Sequence, residues 1–115
     1  MKKILVVDDN KALNFIMTSI FKRNNYKVDS ALTGNEGIEF LNNNDYDVLV
    51  TDLNLPDLIG LELISIIKDK PIIKILVAAY LEENIIKKIK ELDVIFIEKP
   101  FNNQELLNTI ESRLG

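Results

Sequence analysis

Cysteine, histidine and tryptophan are all missing from this 115-residue chain, and it carries only four glycines and three prolines. Without cysteine there are no disulfides, no thiolate nucleophile, no iron–sulfur cluster and no cysteine zinc site. Without histidine there is no imidazole base, no imidazole metal ligand and no triad that depends on one. Any chemistry falls to carboxylates, lysines, hydroxyls and backbone amides. Positive charge is also in deficit: 14 basic against 18 acidic residues leave a net charge of −4. Only Arg23 and Arg113 carry guanidinium groups, and the lysines are spread out, with Lys87, Lys88 and Lys90 the densest group. That distribution argues against binding a phosphate backbone directly. Long apolar runs are absent too. None approaches the roughly 18 residues that span a bilayer. After Lys2 and Lys3 only Ile4 to Val7 precede Asp8, so the N-terminus does not read as a signal peptide. These absences lead us to expect a soluble, cytoplasmic protein with no membrane contact.

What is present is enough for a core. Hydrophobic residues make up 47% of the chain, and its length suits one domain with a radius of gyration of about 13 Å. Four short apolar runs recur: Ile4 to Val7, Val48 to Val50, Ile72 to Val77 interrupted by Lys74, and Val94 to Ile97. Runs that are apolar on both faces fit strands covered by helices on both sides. Tyr26 to Ser30 alternates instead, as an edge strand does. Between these runs lie stripes at helical spacing. The first contains Leu13, Ile16, Met17, Ile20 and Phe21, and the second Ile38, Phe40 and Leu41. The third is Leu61, Leu63, Ile64 and Ile67, the fourth Ile85, Ile86, Ile89 and Leu92, and the fifth Leu106, Leu107, Ile110 and Leu114. Thr33 with Glu36, and Asn102 with Glu105, have capping-box spacing. The order is strand–helix five times over, which predicts an α/β fold with a parallel sheet and right-handed crossovers.

In such a sheet, ligands bind beyond the carboxyl ends of the strands, where the strand order reverses. After the first run come Asp8, Asp9 and Asn10; after Val50 come Thr51, Asp52, Leu53 and Asn54. Ala78, Ala79 and Tyr80 follow the fourth strand, and Glu98, Lys99 and Pro100 the fifth. A 2-1-3-4-5 strand order would bring Asp8, Asp9 and Asp52 together. Carboxylates that close repel one another unless a cation sits among them, and an oxygen-only site with few protein ligands suits Mg²⁺. Metal and Lys99 would neutralise phosphoryl oxygens while one carboxylate attacks phosphorus. Asp52 stands alone at a strand end and is the candidate nucleophile; Asp8 and Asp9 form the pair suited to metal.

These residues give the chain a clear likeness. Lys3 to Asn10, Asp47 to Pro56, Gly60, and Glu98 to Phe101 together resemble the receiver domain of two-component response regulators, from the first strand to the last helix. The resemblance implies a doubly wound, flavodoxin-like (βα)5 fold filling residues 1–115, with no output domain in this chain. It implies that Asp52 accepts a phosphoryl group from a histidine kinase or histidine phosphotransfer protein. Mg²⁺ would be held by Asp9, Asp52 and the Asn54 backbone carbonyl, with Asp8 acting through water. Lys99 would pair with the phosphoryl group, Lys99–Pro100 would be cis, and Phe96 would be the aromatic that changes rotamer. Partners would be that phosphodonor and a downstream protein or fused effector, the domain itself being a monomer or weak dimer and no enzyme beyond its own phosphotransfer and dephosphorylation.

Two positions depart from the pattern. Relatives normally end the fourth strand with Ser or Thr, and here that position is Ala78, which has no donor. Thr51 and Tyr80 are the nearby hydroxyls in sequence. Ile59 stands before Gly60 where many relatives carry Asp. Ala78 implies altered switching, and it keeps open a degenerate receiver that acts as a phosphorylation-independent interaction module. Two other classes fit worse. A phosphatase of the haloacid-dehalogenase type needs a second Asp two residues after its nucleophile, and Asn10 holds that place after Asp8. A flavin or nucleotide binder wants a hydroxyl-rich or glycine-rich phosphate loop that no strand is followed by.

Overall fold

The computed structural model describes residues 1–115. Five strands and five helices alternate: β1 (Lys3–Val7), α1 (Lys11–Arg23), β2 (Lys27–Ala31), α2 (Gly34–Asn43) and β3 (Val48–Asp52), followed by α3 (Gly60–Ile66), β4 (Ile73–Ala78), α4 (Glu83–Leu92), β5 (Ile95–Glu98) and α5 (Asn103–Leu114). The strands form one parallel sheet in the order β2-β1-β3-β4-β5. The expected α/β fold, its strand order and its edge strand are thus as the sequence pattern implied. The radius of gyration is 12.8 Å.

The sheet is wound on both faces because its central strands alternate between two apolar layers. Leu5, Val7, Leu49, Leu76 and Ala78 pack with Leu41 of α2, Leu61, Leu63 and Ile64 of α3, and Ile85 and Ile89 of α4. On the other face Ile4, Val6, Val48, Val50, Ile75, Val77 and Ile97 pack with Met17 and Phe21 of α1 and Leu106, Leu107 and Ile110 of α5. Burial on both faces is why these strands read as continuous apolar runs. Burying such side chains contributes about 1.5–3 kcal/mol each.

Side chains fix where the helices begin. Asn10 Oδ1 accepts from the Leu13 amide at 3.1 Å, Thr33 Oγ1 from Glu36 at 3.2 Å, and Asn102 Oδ1 from Gln104 at 2.8 Å. Each satisfies an amide that the helix itself leaves without a partner. The return half of the first box differs from the motif, since the Glu36 carboxylate accepts from Leu32 rather than from Thr33.

Two stripe residues lie elsewhere than the periodicity placed them. Ile16 is 42% exposed and Ile86 39% exposed. Each sits about 100° round the helix from its buried neighbour, Met17 or Ile85, which carries it off the inward face. Asn14, one turn before Met17, is buried instead at 5% exposure. Its amide nitrogen donates to the Asp8 and Ala31 carbonyls, both at 3.1 Å, and so ties the ends of β1 and β2 together. Lys74, the polar interruption in β4, is also buried. Its ammonium group donates to the Ile72 and Lys70 carbonyls at 3.0 and 3.3 Å, which offsets the cost of desolvating it.

Candidate functional site

β1 and β3 are neighbours with Val7 opposite Thr51, so the residues that follow each strand meet at the sheet's carboxyl edge. Carboxylate oxygens of Asp8, Asp9 and Asp52 all lie within 4.8 Å of one another. Asp8 is 1% exposed and Asp52 7%, whereas Asp9 is exposed. Lys99 reaches the cluster from the end of β5, across β4. Its ammonium nitrogen lies 2.9 Å from Asp52 Oδ1 and 3.8 Å from Asp8 Oδ2. The Lys99 amide donates to the Ala78 carbonyl at 2.8 Å, which aligns the β5 end with the β4 end. The Lys99–Pro100 peptide is cis.

The electrostatics are those of an incomplete cage. One lysine faces three carboxylates. Asp8 Oδ1 accepts from the Asn10 amide at 2.9 Å, but Asp8 Oδ2 is buried with no hydrogen-bond partner. Burial pushes the Asp8 carboxyl above its ordinary range; the Asn10 bond and Lys99 pull it down, and Asp52 and Asp9 push it further up. A buried, unsatisfied carboxylate oxygen beside two other carboxylates is the donor set a hard divalent cation requires. The residues present therefore fit Mg²⁺.

The loop after β3 closes the site on one side. The Leu53 amide donates to the Val77 carbonyl at 3.0 Å and the Gly60 amide to Leu53 at 2.7 Å, while Asn54 and Ile59 form an isolated antiparallel bridge. Gly60 is required by close approach, since a Cβ there would lie 2.2 Å from the Asp52 carbonyl oxygen. Asn54 is exposed on this loop. Ile59 precedes α3 as its cap without a side-chain bond.

The remaining candidates fall into place around this cluster. Ala78 ends β4, buried, and supplies no hydrogen-bond donor from its side chain. Neither nearby hydroxyl replaces it: Thr51 Oγ1 donates to the Asp52 carbonyl at 3.0 Å inside the core, and Tyr80 is 71% exposed. Phe96 lies opposite Leu76 in the sheet register, half-buried on the α3–α4 face. Two features had no signal in the sequence. Asp57, at the tip of the β3–α3 loop, accepts from the Gly34 and Asn35 amides at 2.8 Å each. Phe15 projects from α1 at 71% exposure beside exposed Ile16. An aspartate in a turn and an apolar residue in a helix are ordinary in sequence, and only the packing shows where each points.

The model of the response regulator receiver domain matches residues 4–111. The chain belongs to the response regulator receiver domain family. Among curated relatives, this receiver domain is 27% identical over 116 residues to sporulation initiation phosphotransferase F of Bacillus subtilis, covering 98% of this chain and 94% of that protein. It is 32% identical to the response regulator ArlR of Staphylococcus saprophyticus, covering 99% of this chain but 53% of the relative. The receiver domain thus spans nearly all of the first relative and about half of the second. A CheY-like receiver structure from Methanospirillum hungatei superposes with a TM-score of 0.91 at 31% identity, covering 99% of this chain and 94% of that one. The regulator TrrA of Thermotoga maritima, solved in complex with Mg²⁺ and BeF, gives 0.85 at 29% identity, covering 98% and 99%. Receiver domains are regulatory signalling domains of two-component phosphorelays, and they bind Mg²⁺ through an acidic pocket of this kind. No helix of this receiver domain is long and apolar enough to cross a membrane.

Proposed function

We propose that this receiver domain accepts a phosphoryl group on Asp52 from the phosphohistidine of a histidine kinase or histidine phosphotransfer protein. The observation that carries the reading is the pairing of Lys99 with Asp52 at 2.9 Å inside a carboxylate cluster whose Asp8 Oδ2 has no hydrogen-bond partner. Asp9, Asp52 and the Asn54 backbone carbonyl would hold Mg²⁺, with Asp8 acting through water. When bound, the ion supplies charge neutralisation for the transferring phosphoryl oxygens.

The chain's own groups do the rest. Lys99 engages Asp52 Oδ1 and leaves Oδ2 as the attacking atom. A bond forms between that oxygen and phosphorus as the phosphorus–nitrogen bond to the donor imidazole breaks, and the imidazole keeps the electron pair. Lys99 then pairs with phosphoryl oxygen. The absence of histidine from the chain is consistent with this division, since the imidazole belongs to the donor. Exposed Phe15 and Ile16 on α1, the helix that follows Asp8 and Asp9, offer the donor an apolar landing face.

Ala78 supports a further reading of the output. With no hydroxyl at the end of β4, the phosphoryl group has no side chain there to draw inward, so coupling to the Phe96 face is weakened or altered. The same residue favours the second reading, a phosphorylation-independent interaction module.

Intact-mass measurement after incubation with Mg²⁺ and acetyl phosphate separates the two. A single phosphoryl adduct that disappears in Asp52→Asn is expected. No adduct, under conditions that label an ordinary receiver, would favour the interaction module, and turnover of a phosphate ester would indicate an enzyme instead. The altered-switching reading fails if Ala78→Thr leaves phosphorylation-dependent partner affinity unchanged.

A further inference from the structure

Asp57 is exposed, yet both of its carboxylate oxygens are used. Oδ1 accepts from the Gly34 amide and Oδ2 from the Asn35 amide, each at 2.8 Å and from a segment more than 20 residues earlier in the chain. Those two amides open α2, whose remaining cap comes from its own Thr33. The Asn35 amide bond, with lesser help from the Gly34, Asp57 and Leu58 amides and against a smaller desolvation penalty, holds the carboxyl below its usual titration range. Leu58, the next residue, packs directly over Gly34; a Cβ at Gly34 would come within 2.3 Å of Leu58 Cγ. The contact is therefore a two-part latch, polar at Asp57 and apolar at Leu58.

What the latch holds is the β3–α3 loop. At its base the loop is fixed by the Leu53–Val77 and Gly60–Leu53 bonds. Beyond that base it is closed by the Asn54–Ile59 bridge and the Leu55–Leu58 bond at 3.2 Å. All of the closing contacts are internal to the loop, so they set its shape but not its direction. Asp57 is the polar tie that fixes its tip to another element, beside the apolar contact of Leu58 with Gly34. Asn54 lies on the arm between base and tip, and a backbone carbonyl can serve a cation only where the chain holds it.

We infer that Asp57 is a positioning residue for the metal site: by clamping the loop to the N-terminus of α2, it holds the Asn54 carbonyl where Mg²⁺ needs it. The inference rests on the proposed role of Asn54 as a ligand. It also makes α2 a reporter of the site, because whatever fixes Asn54 must in turn tighten the Asp57 latch; coupling between two sites is reciprocal.

Two measurements on the full chain test it. Calorimetric titration with MgCl₂ should give Asp57→Ala an affinity about tenfold weaker than the parent, as loss of an outer-shell support does. Asp57→Asn, which retains one acceptor oxygen, should fall between the two. Hydrogen exchange of the parent, read by NMR, should show the Gly34 and Asn35 amides better protected at saturating Mg²⁺ than without it. This second measurement needs no variant, so it stands even if Asp57→Ala fails to fold. If the parent binds Mg²⁺ but Asp57→Ala matches it to within about twofold, or if Mg²⁺ leaves the two amides unchanged, the latch is only a helix cap and the inference is overturned alone. If the parent neither binds Mg²⁺ nor takes a phosphoryl group, the proposed function fails with it.

Discussion

The Lys99 ammonium nitrogen sits 2.9 Å from Asp52 Oδ1 and 3.8 Å from Asp8 Oδ2. One cation thus serves two carboxylates delivered by two different strands. It is short of what they need, and that imbalance sets the behaviour of the site.

Lys99→Ala removes the only counter-charge the chain places against Asp52. In metal-free buffer at neutral pH we expect it to destabilise the fold by about 1–3 kcal/mol, because a largely buried carboxylate loses a charge-assisted bond. Urea unfolding with and without Mg²⁺ checks this, and added Mg²⁺ should recover part of the loss. Labelling by acetyl phosphate should slow by about a hundredfold, the scale on which losing one oxyanion donor acts.

Asp8→Asn should have the opposite sign on stability. The folded state raises the Asp8 carboxyl chiefly by burial, so the ionised side chain works against folding. The penalty is full above the raised folded value. It fades as pH falls from the raised folded value toward the unfolded value of 3.8, and is gone below it, where the carboxyl is neutral in both states. We expect Asp8→Asn to be more stable than the parent by about 1 kcal/mol or more at pH 7 without metal. The difference should shrink in titrations toward pH 4. A gain that stayed constant over that range would assign it to something other than charge.

Gly60→Ala should damage the site through the backbone. Its new Cβ would meet the Asp52 carbonyl oxygen at 2.2 Å and the Thr51 hydroxyl at 3.0 Å. The β3 end or the start of α3 must then move, at a cost of about 2–3 kcal/mol. Thermal unfolding measures that loss. Mg²⁺ affinity should fall with it, because Asp52 is carried on the displaced segment.

Asp93→Gly should stabilise the domain by about 0.5–1 kcal/mol. Asp93 closes α4 in the left-handed region at φ 53° and ψ 58°, with its amide bonded to the Ile89 carbonyl. Glycine takes that conformation without the strain of a Cβ. Chemical denaturation should show the midpoint moving up, and labelling at Asp52 should be unaffected.

Much was legible in the chain alone, and the physical reasons are specific. Four apolar runs, one alternating segment and five helical stripes encode the order of strands and helices, since a parallel strand buried on both faces has to be apolar throughout. Thr33, Asn102 and Gly60 mark local events and are read locally. Asp8, Asp9, Asp52 and Lys99 could be grouped in advance because the strand order of a doubly wound sheet dictates which strand ends are neighbours. Ala78 was visible as a missing hydroxyl only through the resemblance, because relatives normally end that strand with Ser or Thr.

The tertiary structure decided what depends on direction or on distant partners. Helical period alone could not say that Ile16 and Ile86 face solvent while Asn14 turns inward to bond the Asp8 and Ala31 carbonyls. A helix can be rotated by tens of degrees with almost the same apolar pattern, and packing against a particular sheet chooses the angle. That Asp8 Oδ2 is left without a hydrogen-bond partner follows from how deeply the end of β1 is buried, which no residue type announces. The Asp57 latch joins residues more than 20 positions apart through backbone amides, and every residue but proline has an amide. The sequence determined which groups this protein has to work with; folding decided which of them are buried, which are exposed, and which carboxylate oxygen is left without a hydrogen-bond partner.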